Sequence, residues 1–190
     1  MRTALLACGL ALALGCNRDS APPPPAATTA GEASARATPP ATPAGGLEVG
    51  KPGPDFTTTA HDGTPISPSA LKGRPIVLYF YPRDETPGCT KQACAFRDAW
   101  KDFESMKVVL VGISTDTNES HKKFAEHRKL PFHLVSDPDG AIAEAYGVPN
   151  LAGFLSRQTI VIGTDGNVKK IYRSVDVSRH AAEVLADVKS

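Results

Sequence analysis

Residues 76–94 read Ile-Val-Leu-Tyr-Phe-Tyr-Pro-Arg-Asp-Glu-Thr-Pro-Gly-Cys-Thr-Lys-Gln-Ala-Cys, and this stretch decides the fold. Its first six residues carry no charge, which predicts a strand that is buried on both faces. Pro82 ends the strand, and helix-compatible residues begin near Pro87. Cys89 therefore lies where a helix starts, and there unpaired amide N–H groups and the positive end of the helix dipole stabilise a thiolate. Because the thiolate is the reactive form of cysteine, this position predicts a reactive thiol.

Cys94 follows Cys89 at a spacing that prevents a simple bond between the two sulfurs. Residues five apart on an ideal helix point about 140° away from each other and are separated by about 7.5 Å along the axis. A disulfide tolerates a smaller Cα separation, so forming one here requires the first turn of the helix to unwind. A structural disulfide or two buried thiols are the alternatives, but a structural bridge does not normally demand local unfolding. The pair therefore indicates a redox cycle.

Residues 79–98 resemble the active-site signature of the peroxiredoxins, specifically of the Q type, whose members are also called bacterioferritin-comigratory proteins. The family's Pro-x-x-x-Thr-x-x-Cys core is present here as Pro82, Thr86 and Cys89. This type often carries its second cysteine five residues later, at the position where Cys94 stands.

The resemblance extends in element order over residues 47–190, in which the segment Arg157-Gln-Thr-Ile-Val-Ile is similar to the family's arginine-bearing strand. It implies an α/β, thioredoxin-like fold, with a single domain built on a central mixed sheet flanked by helices. The residue pattern predicts, in order, a hairpin at 56–66, a strand at 76–81, a helix at 90–103, a strand at 108–114, a helix at 118–129, a strand near 133–136, a short helix at 141–146, a hairpin at 159–172 and a last helix at 178–188.

The side chains of the motif suit peroxide chemistry. When a thiolate attacks a peroxide oxygen, negative charge moves from the sulfur to the leaving oxygen, and donors fixed along that path lower the barrier. Thr86 supplies a hydroxyl that can accept from the peroxide and donate to the thiolate, and Arg157 supplies a permanent cation with several donors. Pro82 has no N–H and a rigid ring, so it can exclude water without competing for the sulfur.

The product at Cys89 would be a sulfenic acid, which a nearby thiol converts to a disulfide before further oxidation, and Cys94 is the obvious resolving thiol. The predicted function is the thiol-dependent reduction of hydrogen peroxide and organic hydroperoxides. A reductant must then reopen the intramolecular disulfide by thiol exchange, and the resemblance implies a thioredoxin-like or other dithiol donor. We expect no cofactor and no bound metal. Many relatives of this type are monomers, and we expect the same here.

Two other functions are compatible with a thioredoxin-like fold. A membrane-tethered thiol–disulfide oxidoreductase would share it, but such enzymes usually present Cys-x-x-Cys. A copper chaperone of this fold would use two cysteines and a histidine as ligands. The histidines available to it are His61, His121, His127, His133 and His180, and none has a spacing that singles it out. Neither alternative gives Thr86 or Arg157 a role.

The first 46 residues bear on where the protein is located rather than on its catalysis. Residues 1–15 have the charged start and short apolar core of a secretory signal peptide, too short to span a membrane permanently. Residues 13–16, Ala-Leu-Gly-Cys, resemble the lipobox of bacterial lipoproteins, although Ala13 stands where Leu is usual. This resemblance implies lipidation of Cys16, and ordinary signal cleavage that leaves Cys16 as a thiol is the alternative. Residues 16–46 are rich in Pro, Ala and Thr and lack large apolar residues, which predicts a disordered tether.

The N-terminal features predict a domain at residues 47–190 that a lipid holds on the periplasmic side of a bacterial membrane. The whole chain contains 21 basic and 20 acidic residues, so its net charge is only +1. A nearly neutral chain without a basic block has no electrostatic reason to bind nucleic acid, and we expect no such partner.

Overall fold

The computed structural model describes residues 46–189. The predicted signal peptide, the predicted lipidation site Cys16, the predicted tether up to residue 45 and Ser190 lie outside the described residues. The elements, in chain order, are β1 (Thr58–Thr59), β2 (Pro65–Ile66), β3 (Ile76–Phe80), α1 (Pro87–Asp98), α2 (Trp100–Ser105), β4 (Val109–Ser114), α3 (Asn118–Arg128), β5 (His133–Ser136), α4 (Ala141–Ala145), β6 (Asn150–Leu151), β7 (Phe154–Leu155), β8 (Gln158–Ile162), β9 (Val168–Tyr172) and α5 (His180–Lys189). Within residues 46–189, no helix is long and apolar enough to cross a membrane.

A five-stranded mixed sheet organises the domain, in the order β5-β4-β3-β8-β9. The central strand β3 pairs in parallel with β4 and antiparallel with β8, and β4 pairs in parallel with β5. All five residues of β3 are buried, as its uncharged sequence predicts. The predicted α/β fold with a central mixed sheet is therefore confirmed.

Helices cover both faces of this sheet. On one face α1, α2, α3 and α5 pack against the strands, and the shared core includes the rings of Tyr79, Phe96 and Phe124. On the other face the core contains α4 and the β1–β2 hairpin, with Phe56 and Tyr146 among its buried rings. Because both faces are covered, the central strand β3 is apolar along its whole length rather than alternating.

Gly112 on β4 makes room for a tyrosine beneath α1. It lies opposite Tyr79 in the strand register, and a Cβ atom at this position would stand 2.5 Å from the Tyr79 ring. The Tyr79 ring stacks on Tyr81 at a centroid distance of 5.3 Å and packs against Phe96 of α1 at 5.1 Å. The absence of a side chain at Gly112 thus lets an aromatic layer support the helix that follows β3.

The helix predicted at 90–103 differs from the observed structure in two ways. It begins earlier, at Pro87, because proline is favoured at the first helical position, where its missing N–H has no intrahelical partner to lose. It is also interrupted at Ala99, where φ is −90° and ψ is 4°, before α2 begins. With this break, Phe96 and Phe103 still meet in one core, with ring centroids 5.9 Å apart.

The sequence patterns do not predict the β6–β7 hairpin. Its two turn residues, Ala152 and Gly153, both have positive φ, at 51° and 83°. Alanine rarely occupies such a position, so the usual Asn-Gly or Gly-Gly signal of a tight hairpin is missing. Thr115 donates a hydrogen bond of 2.6 Å to the carbonyl of Gly153, which ties the hairpin to the end of β4. The hairpin therefore guides the chain into Arg157 and β8.

His180, the first residue of α5, is completely buried against the sheet. Its Nε2 lies 2.8 Å from the hydroxyl of Thr159 on β8. Its ring packs edge-on against Phe96 and Tyr172. Burial, together with the positive charge of Arg157, lowers the pKa of His180 to about 4. The folded protein therefore keeps this imidazole neutral at physiological pH.

We predict that His180 makes the fold less stable in mild acid. A histidine in the unfolded chain takes up a proton near pH 6.5, whereas the pKa of folded His180 is about 4. Burying His180 therefore costs no stability above pH 6.5. As the pH falls from 6.5 toward 4, the free energy of unfolding decreases by up to about 1.4 kcal/mol per pH unit, because the unfolded chain binds a proton that the folded protein does not. Urea denaturation at several pH values should show a flatter pH dependence for His180→Gln than for wild type. His127→Gln, at an exposed histidine of α3, is the control. Equal slopes for His180→Gln and wild type would contradict the prediction.

Candidate active site

Cys89 is the third residue of α1 and is only 2% exposed. The loop after β3 delivers it there, because the chain turns at residues 81–86 and α1 begins at Pro87. In the first turn of a helix the backbone N–H groups have no partner within the helix, so their partial positive charges face the region around Cys89. The sulfur thus lies in an environment that stabilises negative charge.

Arg157 reaches the sulfur from a different part of the chain. It directly precedes β8, whose first residue, Gln158, is opposite Phe80 at the end of β3. Its Nη2 donates to Cys89 Sγ at 3.1 Å. A guanidinium at this distance adds a full positive charge and a charge-assisted hydrogen bond to the sulfur. Sheet register therefore brings together two residues that are far apart in sequence.

Gln92 is a site residue that sequence reasoning missed. It lies one turn after Cys89 on α1 and is 1% exposed. Its Oε1 accepts a hydrogen bond from Nη1 of Arg157, so the two ends of the guanidinium contact Gln92 and Cys89 separately. A buried carboxamide of this kind fixes the direction of the guanidinium. The three-residue spacing from Cys89, which places both side chains on one helix face, was the signal that could have found it.

Thr86 occupies the N-cap position of α1. Its hydroxyl donates to the carbonyl of Arg83 at 3.0 Å, and no side-chain capping bond is formed. The expected donation from this hydroxyl to the thiolate is therefore not present in this arrangement. The oxygen keeps its lone pairs for accepting a hydrogen bond. Pro82, half-buried, lies in the same loop, directly after Tyr81.

Cys94 is five residues further along α1 and is half-buried. Both it and Cys89 are thiols, with no disulfide between them. Because both lie within an intact helix, they point in different directions around its axis. The structure thus describes the reduced arrangement, from which the two sulfurs cannot bond without a change in α1.

A buried polar cluster holds the loop that leads to the site. Asp84 accepts hydrogen bonds from the hydroxyl of Tyr81 at 2.7 Å, from the hydroxyl of Ser120 at 2.7 Å and from Nδ1 of His121 at 2.9 Å. Burial raises the pKa of Asp84, but these hydrogen bonds outweigh it and hold the pKa below the ordinary value. The cluster anchors the loop to α3, and the sequence pattern did not predict it.

The histidines considered as copper ligands have other contacts. His61 accepts from the amide of Leu134, and His133 pairs with Asp62. Within residues 46–189, no group of three or more His, Cys, Asp or Glu side chains is arranged to hold a metal ion. The neighbour of Cys89 is instead the Arg157 guanidinium, which has no lone pair for a metal and would repel a cation.

The sequence is similar to those of proteins in one known family. Residues 49–171 match the AhpC/TSA family. The chain is 47% identical over 135 residues to peroxiredoxin Q, chloroplastic, of Sedum lineare, a match that covers 70% of this chain and 73% of that protein. It is 46% identical over 142 residues to peroxiredoxin Q, chloroplastic, of Populus jackii, which covers 73% of this chain and 67% of that protein.

Solved structures show the same likeness. The structure of peroxidoxin BcpB from Mycobacterium tuberculosis superposes with a TM-score of 0.69 at 39% identity and covers 75% of this chain and 97% of that one. The bacterioferritin comigratory protein of Xanthomonas campestris, studied for its alkyl peroxide reduction activity, superposes with a TM-score of 0.66 at 33% identity. This match covers 70% of this chain and 89% of that one.

These likenesses confirm the thioredoxin-like fold, and they do not favour the disulfide-exchange or copper-chaperone alternatives. The chain belongs to the AhpC/TSA family and, within it, to the peroxiredoxin Q and bacterioferritin-comigratory proteins, and it is a thiol-dependent peroxidase that works through cysteine.

Proposed function

We propose that Cys89 is the peroxidatic cysteine and that the protein reduces hydrogen peroxide and organic hydroperoxides. The observation that carries this proposal is the contact between the Arg157 guanidinium and Cys89 Sγ at the start of α1. The alkyl peroxide reduction activity of the related Xanthomonas protein supports organic hydroperoxides as substrates.

In the proposed first step, the Cys89 thiolate attacks one peroxide oxygen. An S–O bond forms, the O–O bond breaks, and the other oxygen leaves as hydroxide or alkoxide and takes a proton to become water or an alcohol. Arg157 stabilises the charge as it moves from sulfur to oxygen. The Thr86 hydroxyl accepts a hydrogen bond from the peroxide, since its own proton is donated to the Arg83 carbonyl. Pro82 shields the site from water.

In the proposed second step, Cys94 resolves the sulfenic acid at Cys89 as an intramolecular disulfide. The first turns of α1 unwind for this, because the helix keeps the two sulfurs apart. A thioredoxin-like protein or another dithiol reductant then reduces the disulfide by thiol exchange and restores the helix. We propose that the protein completes this cycle as a monomer.

Two cysteine variants test the cycle. Cys89→Ser should abolish rapid peroxide consumption. Cys94→Ser should complete its first turnover at a wild-type rate but should then stop, with Cys89 oxidised beyond the sulfenic acid. Stopped-flow kinetics and mass analysis of the 89–94 peptide measure both effects, and wild type should show a loss of two hydrogens in that peptide. An unchanged steady-state rate for Cys94→Ser with a dithiol reductant would contradict its resolving role.

The role of Arg157 can be tested separately. We expect Arg157→Met to lower the second-order rate of the peroxide reaction by about 100-fold or more, because a charge-assisted donor to the reacting atoms is removed. The free energy of unfolding should change much less. Arg74→Met, in which the lost guanidinium contacts the Lys107 carbonyl elsewhere, is the control and should react normally. If Arg157→Met reacts with peroxide at the wild-type rate, Arg157 has no role in that reaction.

We also propose that residues 1–15 are a signal peptide, that Cys16 is lipidated, and that residues 16–46 tether the domain at 47–190 to the periplasmic side of the cell envelope. The lipobox-like Ala-Leu-Gly-Cys and the Pro- and Ala-rich composition of the following residues support this proposal.

Replacement of Cys16 tests the anchor. Wild type should be found in the membrane fraction, and its mature N-terminal peptide should carry the mass of acyl chains. Cys16→Ser should move the protein to the soluble envelope fraction with its peroxidase activity intact, because Cys16 is not part of the site. Recovery of wild type as an unmodified, soluble protein would contradict lipidation.

A further inference from the structure

Four buried side-chain polar atoms have no hydrogen-bond partner within residues 46–189. They are Tyr79 Oη, Thr90 Oγ1, Gln92 Nε2 and His180 Nδ1. Two of these residues lie on α1 between the two site cysteines. The other two, Tyr79 and His180, place their rings against Phe96 of α1, at centroid distances of 5.1 and 5.7 Å. All four unpaired atoms thus belong to α1 or to side chains that pack against it.

Unpaired polar atoms of this kind oppose the formation of the helix. Nearly all buried polar groups in proteins have a hydrogen-bond partner, because a buried group without one has lost its bonds to water and gained none in return. This unfavourable free energy is removed when the group reaches water again. A cluster of such atoms around a single helix therefore lowers the stability of that helix more than that of the strands beside it.

The Tyr79 hydroxyl is the clearest case. Tyr79 is 1% exposed and shares its core with Cys89 and Ala93 of α1. A Cβ atom at Gly112 would stand 2.5 Å from the hydroxyl oxygen and 2.7 Å from a methyl group of Leu134, so both groups crowd this point. The hydroxyl is thus enclosed without receiving a hydrogen bond from its neighbours. The ring of Tyr79 supports α1, whereas its hydroxyl opposes the formed helix.

We propose that these unpaired groups, and the Tyr79 hydroxyl above all, destabilise the start of α1 so that it can unwind once Cys89 is oxidised. The inference rests on the proposed resolution by Cys94. When residues 87–94 unwind, the Thr90 side chain enters water and water reaches the Tyr79 hydroxyl. Both groups then gain the hydrogen bonds that they lack in the formed helix, which offsets part of the cost of unwinding.

The same balance protects Cys89 from further oxidation. Its sulfenic acid either forms the disulfide with the Cys94 thiol, which releases water, or reacts with a second peroxide to give a sulfinic acid, which releases water or an alcohol. A helix start that opens readily favours the disulfide, because Cys94 then reaches the sulfenic acid before a second peroxide does. The unpaired groups therefore set how much peroxide the site tolerates.

Two variants of the full-length chain remove an unpaired hydroxyl with little change of shape. They are Tyr79→Phe and Thr90→Val. Tyr146→Phe is the matched control, because Tyr146 is equally buried but donates its hydroxyl to the Pro54 carbonyl at 2.6 Å, on the other face of the sheet.

Three quantities are measured in each protein. They are the amide hydrogen exchange of residues 87–94 in the reduced state, the free energy of unfolding in urea, and the rate of the stopped-flow phase that Cys94→Ser lacks after mixing with hydrogen peroxide. Trp100, the only tryptophan of the chain, is the fluorescence reporter, since it directly follows α1 and its capping residue Ala99.

In Tyr79→Phe, exchange of residues 87–94 and the Cys94-dependent phase should both slow by about five- to tenfold, because the open helix is less populated. Thr90→Val should change both in the same direction, and more Cys89 should become sulfinic acid at a given peroxide concentration. The initial reaction with peroxide should match wild type. The free energy of unfolding should rise in Tyr79→Phe but fall in Tyr146→Phe, whose exchange at 87–94 and second phase should stay at wild-type values.

Two outcomes would overturn the inference. One is a Tyr79→Phe protein in which exchange at 87–94 and the second phase keep their wild-type rates. The other is a free energy of unfolding that falls in Tyr79→Phe as it does in Tyr146→Phe, because the Tyr79 hydroxyl would then have a partner such as a buried water. Failure of the underlying cycle looks different, since wild type itself would lack a Cys94-dependent phase, and exchange in the reduced protein would still test the helix.

Discussion

Two sulfurs five residues apart on a formed helix cannot bond to each other, and the rest of the site depends on this constraint. In the proposed cycle the formed helix activates Cys89, since its first turn directs N–H groups at the sulfur, and Arg157, which β8 positions, donates to the same atom. The proposed disulfide with Cys94 requires the same turn to come apart. The helix therefore has to be stable enough to position Cys89 and weak enough at its start to open after oxidation.

The surroundings of α1 meet these two demands in different places. Beneath the helix, Tyr79, Tyr81 and Phe96 form an aromatic layer, and Gly112 leaves the space for it. In front of the helix, the Asp84 cluster fixes the loop to α3 through buried hydrogen bonds. The helix start itself has no side-chain cap, because the Thr86 hydroxyl is bonded to Arg83. An uncapped helix start is easier to open than a capped one, by about 1 kcal/mol.

Much of this arrangement could be predicted from the sequence, and the remainder depends on long-range contacts. The uncharged run at 76–81 predicts the buried central strand, and the residues after Pro82 predict a helix close to Cys89, although that helix was predicted from residue 90 and begins at Pro87. The contact of Arg157 with Cys89 could be named only from the resemblance, because it depends on the pairing of β3 with β8. Gln92 and the Asp84 cluster were missed, since neither residue type signals burial and their partners are far along the chain. The β6–β7 hairpin was not predicted, because an alanine stands at a turn position that glycine or asparagine usually occupies.

The most direct test of the central claim is amide hydrogen exchange, followed by mass spectrometry, of the reduced protein and of the protein oxidised with one equivalent of peroxide. We expect peptides covering the first turns of α1, from Pro87 to Cys94, to lose protection on oxidation. Peptides from the buried strand β3 should keep theirs. The Cys89–Cys94 disulfide must be present in the oxidised sample by mass. Equal protection of α1 in the two redox states, with that disulfide formed, would contradict the claim that the helix has to unwind for the two cysteines to meet.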